Sequence, residues 1–361
     1  MWKGPQQPMR FRDYGFSPGF LQPGQRNKIS DVPGVRVGHS TRREGDKIRT
    51  GVTVVDPGVV NLFHNKIPAA VAVGNGFGKL AGISQIQELG TLETPIALTN
   101  TLSVGAVLHG LVKHVLSVTP SMKSDSTINA VVGETNDGLL NDIHAMVIEP
   151  ENVTDAFETL SADFELGAVG AGTGTRAFNF KGGIGSSSRK ISVDASQFTL
   201  GALVQTNFGG ALSIMGVPMG QILGSTSFDD YRSIAGDGSC MIVIAVDAPL
   251  SARQLGRLAH RGLLGLVRTG SIMAHGSGDY AIAFSTNRAG VEGAEASGVG
   301  TCIPEDRLNP LFLAAVEAVE ESVYDALFTA ETVTGFNGAT LSQIPTDQIV
   351  EILRKRIGAN A

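Results

Sequence analysis

Ala235-Gly236-Asp237-Gly238-Ser239-Cys240 runs directly into Met241-Ile242-Val243-Ile244-Ala245-Val246. The small residues make a turn, and the unbroken apolar run that follows makes a strand buried on both faces. The pattern recurs 38 residues further on, where Gly276-Ser277-Gly278-Asp279 leads into Tyr280-Ala281-Ile282-Ala283-Phe284. Between the two, Pro249 and Ser251 open a stretch with Leu255, Leu258, Leu263, Leu264 and Val267 at helical spacing. A helix joining two such strands puts both turns, with their hydroxyls and carboxylate, at one end of a sheet.

Working outward, further short apolar runs bounded by Gly, Asn, Asp or Pro read as strands: Val52–Val55, Ala69–Val73, Ala130–Val132 and Leu200–Thr206. Helical periodicity marks Ser103–Leu116, Leu311–Leu327 and a last stretch through Ile349, Val350, Leu353 and Ile357, for which the Thr346 hydroxyl suits an N-cap. The class is therefore α/β or α+β. Strand order cannot be read from these runs. Residues 1–28, rich in Pro, Gly and Gln, read as an extended arm.

Composition bounds the function. The chain has 361 residues, 46 of them Gly, yet 42% are hydrophobic, which excludes collagen and disorder. A formal net charge of −6 argues against a nucleic-acid surface. Cys240 and Cys302 have no CxxC spacing, and a reduced, cytoplasmic setting is the simplest reading. The N-terminus has no apolar run of signal-peptide type, and no stretch approaches the roughly 18 apolar residues of a membrane helix.

Several familiar motifs fail. Gly74-Asn75-Gly76-Phe77-Gly78-Lys79 and Gly170-Ala171-Gly172-Thr173-Gly174-Thr175 each miss the third glycine of a dinucleotide fingerprint, at Lys79 and Thr175. The seven histidines offer no metal pair; His109 and His114 are five apart and do not share a helix face. Gly183-Ile184-Gly185-Ser186 imitates a nucleophile elbow without a strand-to-helix switch around it. No cofactor and no metal is expected.

A set of motifs in order along the chain carries a resemblance. They are Ile29-Ser30-Asp31-Val32-Pro33-Gly34-Val35-Arg36-Val37-Gly38-His39, Thr94-Pro95-Ile96-Ala97-Leu98-Thr99-Asn100-Thr101, and Gly133-Glu134-Thr135-Asn136-Asp137-Gly138. Gly170–Gly174 with Lys181-Gly182-Gly183-Ile184-Gly185, then Val204-Gln205-Thr206-Asn207-Phe208-Gly209, Gly236–Ser239 and Ser277–Asp279 complete the set. With these, the chain from about residue 27 to 355 resembles the DmpA/BapA family of N-terminal-nucleophile-like aminopeptidases. The resemblance implies an α+β protein built as a single four-layer αββα domain over residues 29–361. It implies a precursor that cuts its own Gly238–Ser239 bond, leaving an α-chain 1–238 and a β-chain 239–361. It also implies homo-oligomers of αβ units acting on small peptides or amides with a free amine.

The implied roles suit the residue types. Ser239, once first in its chain, carries its own α-amine, with an ordinary pKa of about 7.7–8.0, as base. Ser277 and Asp279 match the family's Ser and carboxylate around the nucleophile and its amine. Asn207 matches the amide donor to the oxyanion, a role typically worth about 10²–10³ in rate. Glu134 matches the carboxylate that receives the substrate's ammonium. The chain departs from the family at Asp279, where aminopeptidases carry Glu, and at Asn136, where the D-esterase branch carries Tyr; the second departure leans toward β-peptidyl substrates. Leu139 and Leu140 line a substrate pocket or belong to the core. Two other functions compete: an amide hydrolase of nylon-oligomer type, toward which Asp279 leans, and a non-catalytic α/β binding protein.

Overall fold

The computed structural model describes residues 8–228, 237–291 and 301–357. Its elements in chain order begin with strands β1 (Arg36–Glu44), β2 (Ile48–Asp56), β3 (Ile67–Gly76) and β4 (Leu80–Ala81), then helix α1 (Ile83–Leu89). Strands β5 (Thr91–Leu92) and β6 (Ile96–Asn100), helix α2 (Val104–Val118), strand β7 (Val131–Thr135) and helix α3 (Glu151–Glu158) follow. Next come β8 (Arg176–Ala177), β9 (Phe180–Lys181), β10 (Ile184–Val193), β11 (Ser196–Asn207) and the single turn α4 (Met219–Ile222). The chain closes with β12 (Asp237–Val246), α5 (Ala252–Arg268), β13 (Gly276–Ser285), α6 (Asn309–Phe328), β14 (Val333–Thr334), β15 (Thr340–Leu341) and α7 (Thr346–Ile357).

Two sheets carry the fold. One has the order β1-β2-β6-β7-β4, the other β10-β11-β12-β13-β3-β5. Alternation along the central strands decides what each face meets. In β12, Cys240, Ile242, Ile244 and Val246 join an apolar cluster with α5 and α6. Met241, Val243 and Ala245 face the other way, into a cluster with Val55, Ile96 and Leu98 of the first sheet. Val52, Val54, Ala97 and Val132, on the far face of that sheet, pack with Val107 and Leu111 of α2 and Val153 and Ala156 of α3. The protein is mixed α+β.

The residues expected as an arm lie on the domain from Pro8 onward. Phe11 and Phe16 are buried in the cluster around α6. Arg10 binds Asp325 through Nε (3.0 Å) and Nη2 (2.5 Å), and Arg12 binds Glu321 through Nε (2.7 Å) and Nη2 (2.9 Å). Arg189 of β10, fully buried, pairs with Glu317 at 3.0 Å and Glu321 at 2.7 Å. These pairs let α6 bury three carboxylates, Glu317, Glu321 and Asp325, each matched to a cation.

The capping expectation at Thr346 is corrected. Thr346 is the first residue of α7, and its Oγ1 donates to the Ile344 carbonyl instead of accepting from the helix. Ser251 does cap: its side chain accepts from the Gln254 amide at the start of α5. Among the described residues no helix is long and apolar enough to cross a membrane.

Candidate active site

Strand pairing assembles the site. β12 and β13 run parallel, joined through α5, so their opening residues, Gly238–Ser239 and Ser277–Asp279, lie at the same end of the sheet, inside the strands and not in turns before them. Their register pairs Gly238 with Ser277, Ser239 with Gly278 and Cys240 with Asp279. On the other side β11 runs antiparallel and sets Asn207 opposite Ser239. Directly opposed residues project from the same face, so Asn207 and Ser239 share the face turned to the first sheet. Ser277 and Asp279 take the parity of Cys240 and lie on the helix-facing side. Asp279 accordingly adds to the upward shift of the buried Cys240 thiol, which burial mainly causes. The two partners therefore flank the main chain at Gly238–Ser239 rather than the Ser239 hydroxyl.

The site is closed and polar. Ser239, Ser277, Asp279 and Asn207 are all buried. Ser239 Oγ donates to the Gly238 carbonyl at 2.5 Å and accepts from the Gly278 N–H at 3.4 Å. Ser277 Oγ and both carboxylate oxygens of Asp279 lack a hydrogen-bond partner. Burial raises the Asp279 pKa to about 6, against a smaller opposing effect of Ser277. A buried carboxylate without a partner costs stability and is normal only where something else is meant to meet it. Asn207 Oδ1 accepts from the Arg176 N–H at 3.3 Å. Gly238 stands where a Cβ would come within 3.1 Å of Phe208 Cα.

Glu134, in β7 of the first sheet, reaches the same place. Its Oε1 accepts from the Lys79 N–H at 2.8 Å. A Cβ on Gly78 would lie 2.9 Å from that oxygen and 3.1 Å from Gly278 Cα, so two glycines let the turn after β3 sit between Glu134 and β13. Burial raises the Glu134 pKa, opposed by the Lys79 amide, the Lys79 charge and Thr101. The Tyr280 pKa is raised by burial and then by the charges of Glu134 and Asp279.

The remaining candidates separate. Asn136 is exposed and turns back on itself, Oδ1 accepting from the Gly138 N–H at 3.0 Å. Leu139 is 47% exposed, while Leu140 is fully buried with Ala168, Val333 and Leu341. Ala235 and Gly236 lie outside the described residues. Ser186 of the elbow-like motif sits inside β10, donating to the Ala202 carbonyl and accepting from the Ile29 N–H. Both cysteines are free thiols, and among the described residues no group of His, Cys, Asp or Glu could hold a metal ion. Sequence reading missed the Gly278 N–H and the Arg176 N–H; as backbone groups they leave no side-chain signature.

Residues 27–341 match the profile of Peptidase family S58. The chain belongs to peptidase family S58. The S58 assignment agrees with its relatives. The chain is 36% identical over 370 residues to the beta-peptidyl aminopeptidase BapA of Sphingosinicella microcystinivorans, covering 96% of this chain and 92% of that one. A Burkholderia sp. beta-aminopeptidase superposes with a TM-score of 0.86 at 39% identity, over 96% of this chain and 99% of that chain. The L-aminopeptidase D-Ala-esterase/amidase of Ochrobactrum anthropi, described as a prototype for the serine aminopeptidases and a variant of the Ntn hydrolase fold, gives 0.85 at 34% identity, over 98% and 99%. The family motifs in the sequence thus agree with a match over nearly the whole S58 chain.

Proposed function

We propose that this S58 protein is a self-processing serine aminopeptidase that releases N-terminal residues from short peptides, amides or esters. The carrying observation is the three-strand register that gathers Asn207, Ser239 and the Ser277–Asp279 start of β13 in one buried place, with Asp279 unpartnered.

In the first step the Ser239 hydroxyl attacks the Gly238 carbonyl, the peptide C–N bond breaks, and the acyl group moves to Oγ as an ester. Water then cleaves the ester, leaving the Gly238 carboxylate, the free Ser239 hydroxyl and a free Ser239 amine. Asp279 and Ser277 flank that nitrogen and supply the acceptors that hold it. In turnover the amine takes the hydroxyl proton as Ser239 attacks a substrate carbonyl and returns it to the leaving amine; water, deprotonated by the same amine, then cleaves the acyl ester, releasing the acid and restoring the Ser239 hydroxyl. Asn207 stands on the hydroxyl's face as donor to the oxyanion. Glu134 receives the substrate ammonium, which ties cleavage to the N-terminal residue. The presence of Asn136, with no aromatic ring there, favours β-amino substrates.

The finer architecture belongs to the same proposal. Three separate apolar clusters, helix against sheet, sheet against sheet and sheet against helix, support a four-layer αββα sandwich. Association of αβ units into a homo-oligomer follows from the family resemblance, and the two free cysteines favour a reduced, cytoplasmic setting.

A denaturing gel tests the reading. The purified protein should show two bands, the smaller of 123 residues, about 13 kDa as its share of the 37.6 kDa chain, with the N-terminal sequence Ser-Cys-Met. Active enzyme running as one full-length band rules it out.

A further inference from the structure

Lys181 is fully buried at the end of β9. Its Nζ donates to the carbonyls of Gly172 (2.9 Å), Thr175 (2.8 Å) and Gly182 (2.8 Å). Three acceptors match the three N–H donors of an ammonium.

Two of those carbonyls belong to peptide units whose other ends hold β11. The Thr175 carbonyl and the Arg176 N–H are opposite ends of one planar trans peptide, and that N–H donates to Asn207 Oδ1. The Gly182 carbonyl and the Gly183 N–H form a second such unit, whose N–H donates to Thr206 Oγ1 at 2.9 Å. Pulling each carbonyl toward one ammonium turns each N–H the opposite way, toward neighbouring residues of β11. An N–H can donate only to the oxygen of Asn207's amide, so the Arg176 contact settles which end of that amide is its NH2.

We infer that Lys181 is a positioning residue for the reaction: through the Thr175–Arg176 peptide it orients the Asn207 amide so that its NH2 is presented to the oxyanion. This rests on the reading of Asn207 as the oxyanion donor. Burial lowers the Lys181 pKa to about 7, Arg43 adding to this and Glu331 and Asp137 opposing it, so the three carbonyls are what hold the charged amine in place. The proposal also accounts for the Gly170–Gly174 and Lys181–Gly185 motifs. Gly182 and Gly172 leave no room for a Cβ: one on Gly182 would stand 2.4 Å from Thr206 Oγ1, and one on Gly172 2.6 Å from the Ile184 nitrogen.

The test uses Lys181→Met, Asn207→Ala and the double variant in the full chain. Self-cleavage is followed on gels, and turnover of β-alanyl, L-alanyl and D-alanyl p-nitroanilides is normalised to the cleaved fraction. Lys181→Met should lower kcat at least about tenfold, short of the ~10²–10³ of a lost oxyanion donor, with KM within about twofold. The double variant should be no slower than Asn207→Ala alone. Additive losses overturn the positioning role while leaving Asn207 in place; an unchanged kcat in Asn207→Ala overturns the underlying reading instead. Should Lys181→Met fail to fold, Lys181→Gln keeps two donors and should lie between wild type and Asn207→Ala. In the unaltered protein the Arg176 amide should exchange its hydrogen as slowly as those of β11, and fast exchange also overturns the inference.

Discussion

Asn207 and Ser239 stand directly opposite each other across the antiparallel β11–β12 ladder. The pairing puts an amide and a hydroxyl on one face of a sheet, next to the Gly238–Ser239 bond. Replacing Ser239 by Ala removes the hydroxyl from both reactions assigned to it. The variant should run as one band of full length and hydrolyse none of the p-nitroanilides. Residual amidase activity in it would mean that another group is the nucleophile.

Glu134 tests the claim that the enzyme reads a free amine. Glu134→Gln keeps the shape but loses the charge. A charged hydrogen bond is worth about 1.5–3 kcal/mol, so KM should rise roughly 10- to 100-fold with kcat little changed. Burial raises the Glu134 pKa, so the carboxylate protonates at higher pH than an exposed Glu. In the native enzyme KM should therefore climb as pH falls through that raised pKa, and Glu134→Gln should flatten the climb. Equal KM values for native and variant enzyme would remove Glu134 from substrate binding.

Asp279 is best examined in the uncut chain, in the Ser239→Ala background. Its pKa of about 6 in the fold lies above the ordinary value of 3.8. Between these two values the folded protein holds a proton that the unfolded chain has released, so stability falls as pH rises across the window. At pH 7 the whole cost is present, of order 2–3 kcal/mol from a shift of about two pKa units. Asp279→Asn should raise the urea midpoint at pH 7 and leave it unchanged near pH 4. In the cleaved enzyme the new ammonium of Ser239 offsets the same cost, so the gain there should shrink. A gain independent of pH would show that ionisation is not its source.

Arg10 and Asp325 bind the start of the chain to α6. Asp325 is fully buried, and Arg10→Ala would leave its carboxylate without its cation. Breaking such a pair costs about 3–5 kcal/mol. The variant's thermal unfolding should move down by several degrees, and in cleaved protein the two fragments should part at lower urea on size-exclusion columns. An unshifted transition would mean that the ion pair contributes nothing net.

The sequence announced most of the central strands, because Met241–Val246, Tyr280–Phe284 and Leu200–Val204 are buried on both faces and carry mainly apolar side chains. β10 gave no such signal. Its Ser186, Ser187, Ser188 and Arg189 are as buried as any valine, but they are satisfied by partners far away in sequence: Ile29, the Ala318 carbonyl, Asp31, Glu317 and Glu321. Long-range hydrogen bonding of this kind has no local periodicity. The site was legible in part for a related reason. Side chains with chemistry stand out as Ser239, Asp279 or Asn207, but their juxtaposition depends on strand order and register, and the backbone donors that orient them belong to residues of any type. Lys181 was visible only as one letter of a motif, since an ammonium caged by carbonyls is recognised from where those carbonyls are.

The strand order β10-β11-β12-β13-β3-β5 has a consequence for a protein cut before Ser239. β13 and β12 from Ser239 onward come from the shorter piece, and the strands on either side of them, β11 and β3, from the longer one. The shorter piece is thus the filling of a sheet whose both borders belong to its partner, and two full ladders of main-chain hydrogen bonds join what the severed bond no longer does. Separation would require opening the sheet on two sides at once. A molecule made of two chains in this way unfolds as one, and the freed amine of Ser239 gains its liberty without the scaffold around it losing any.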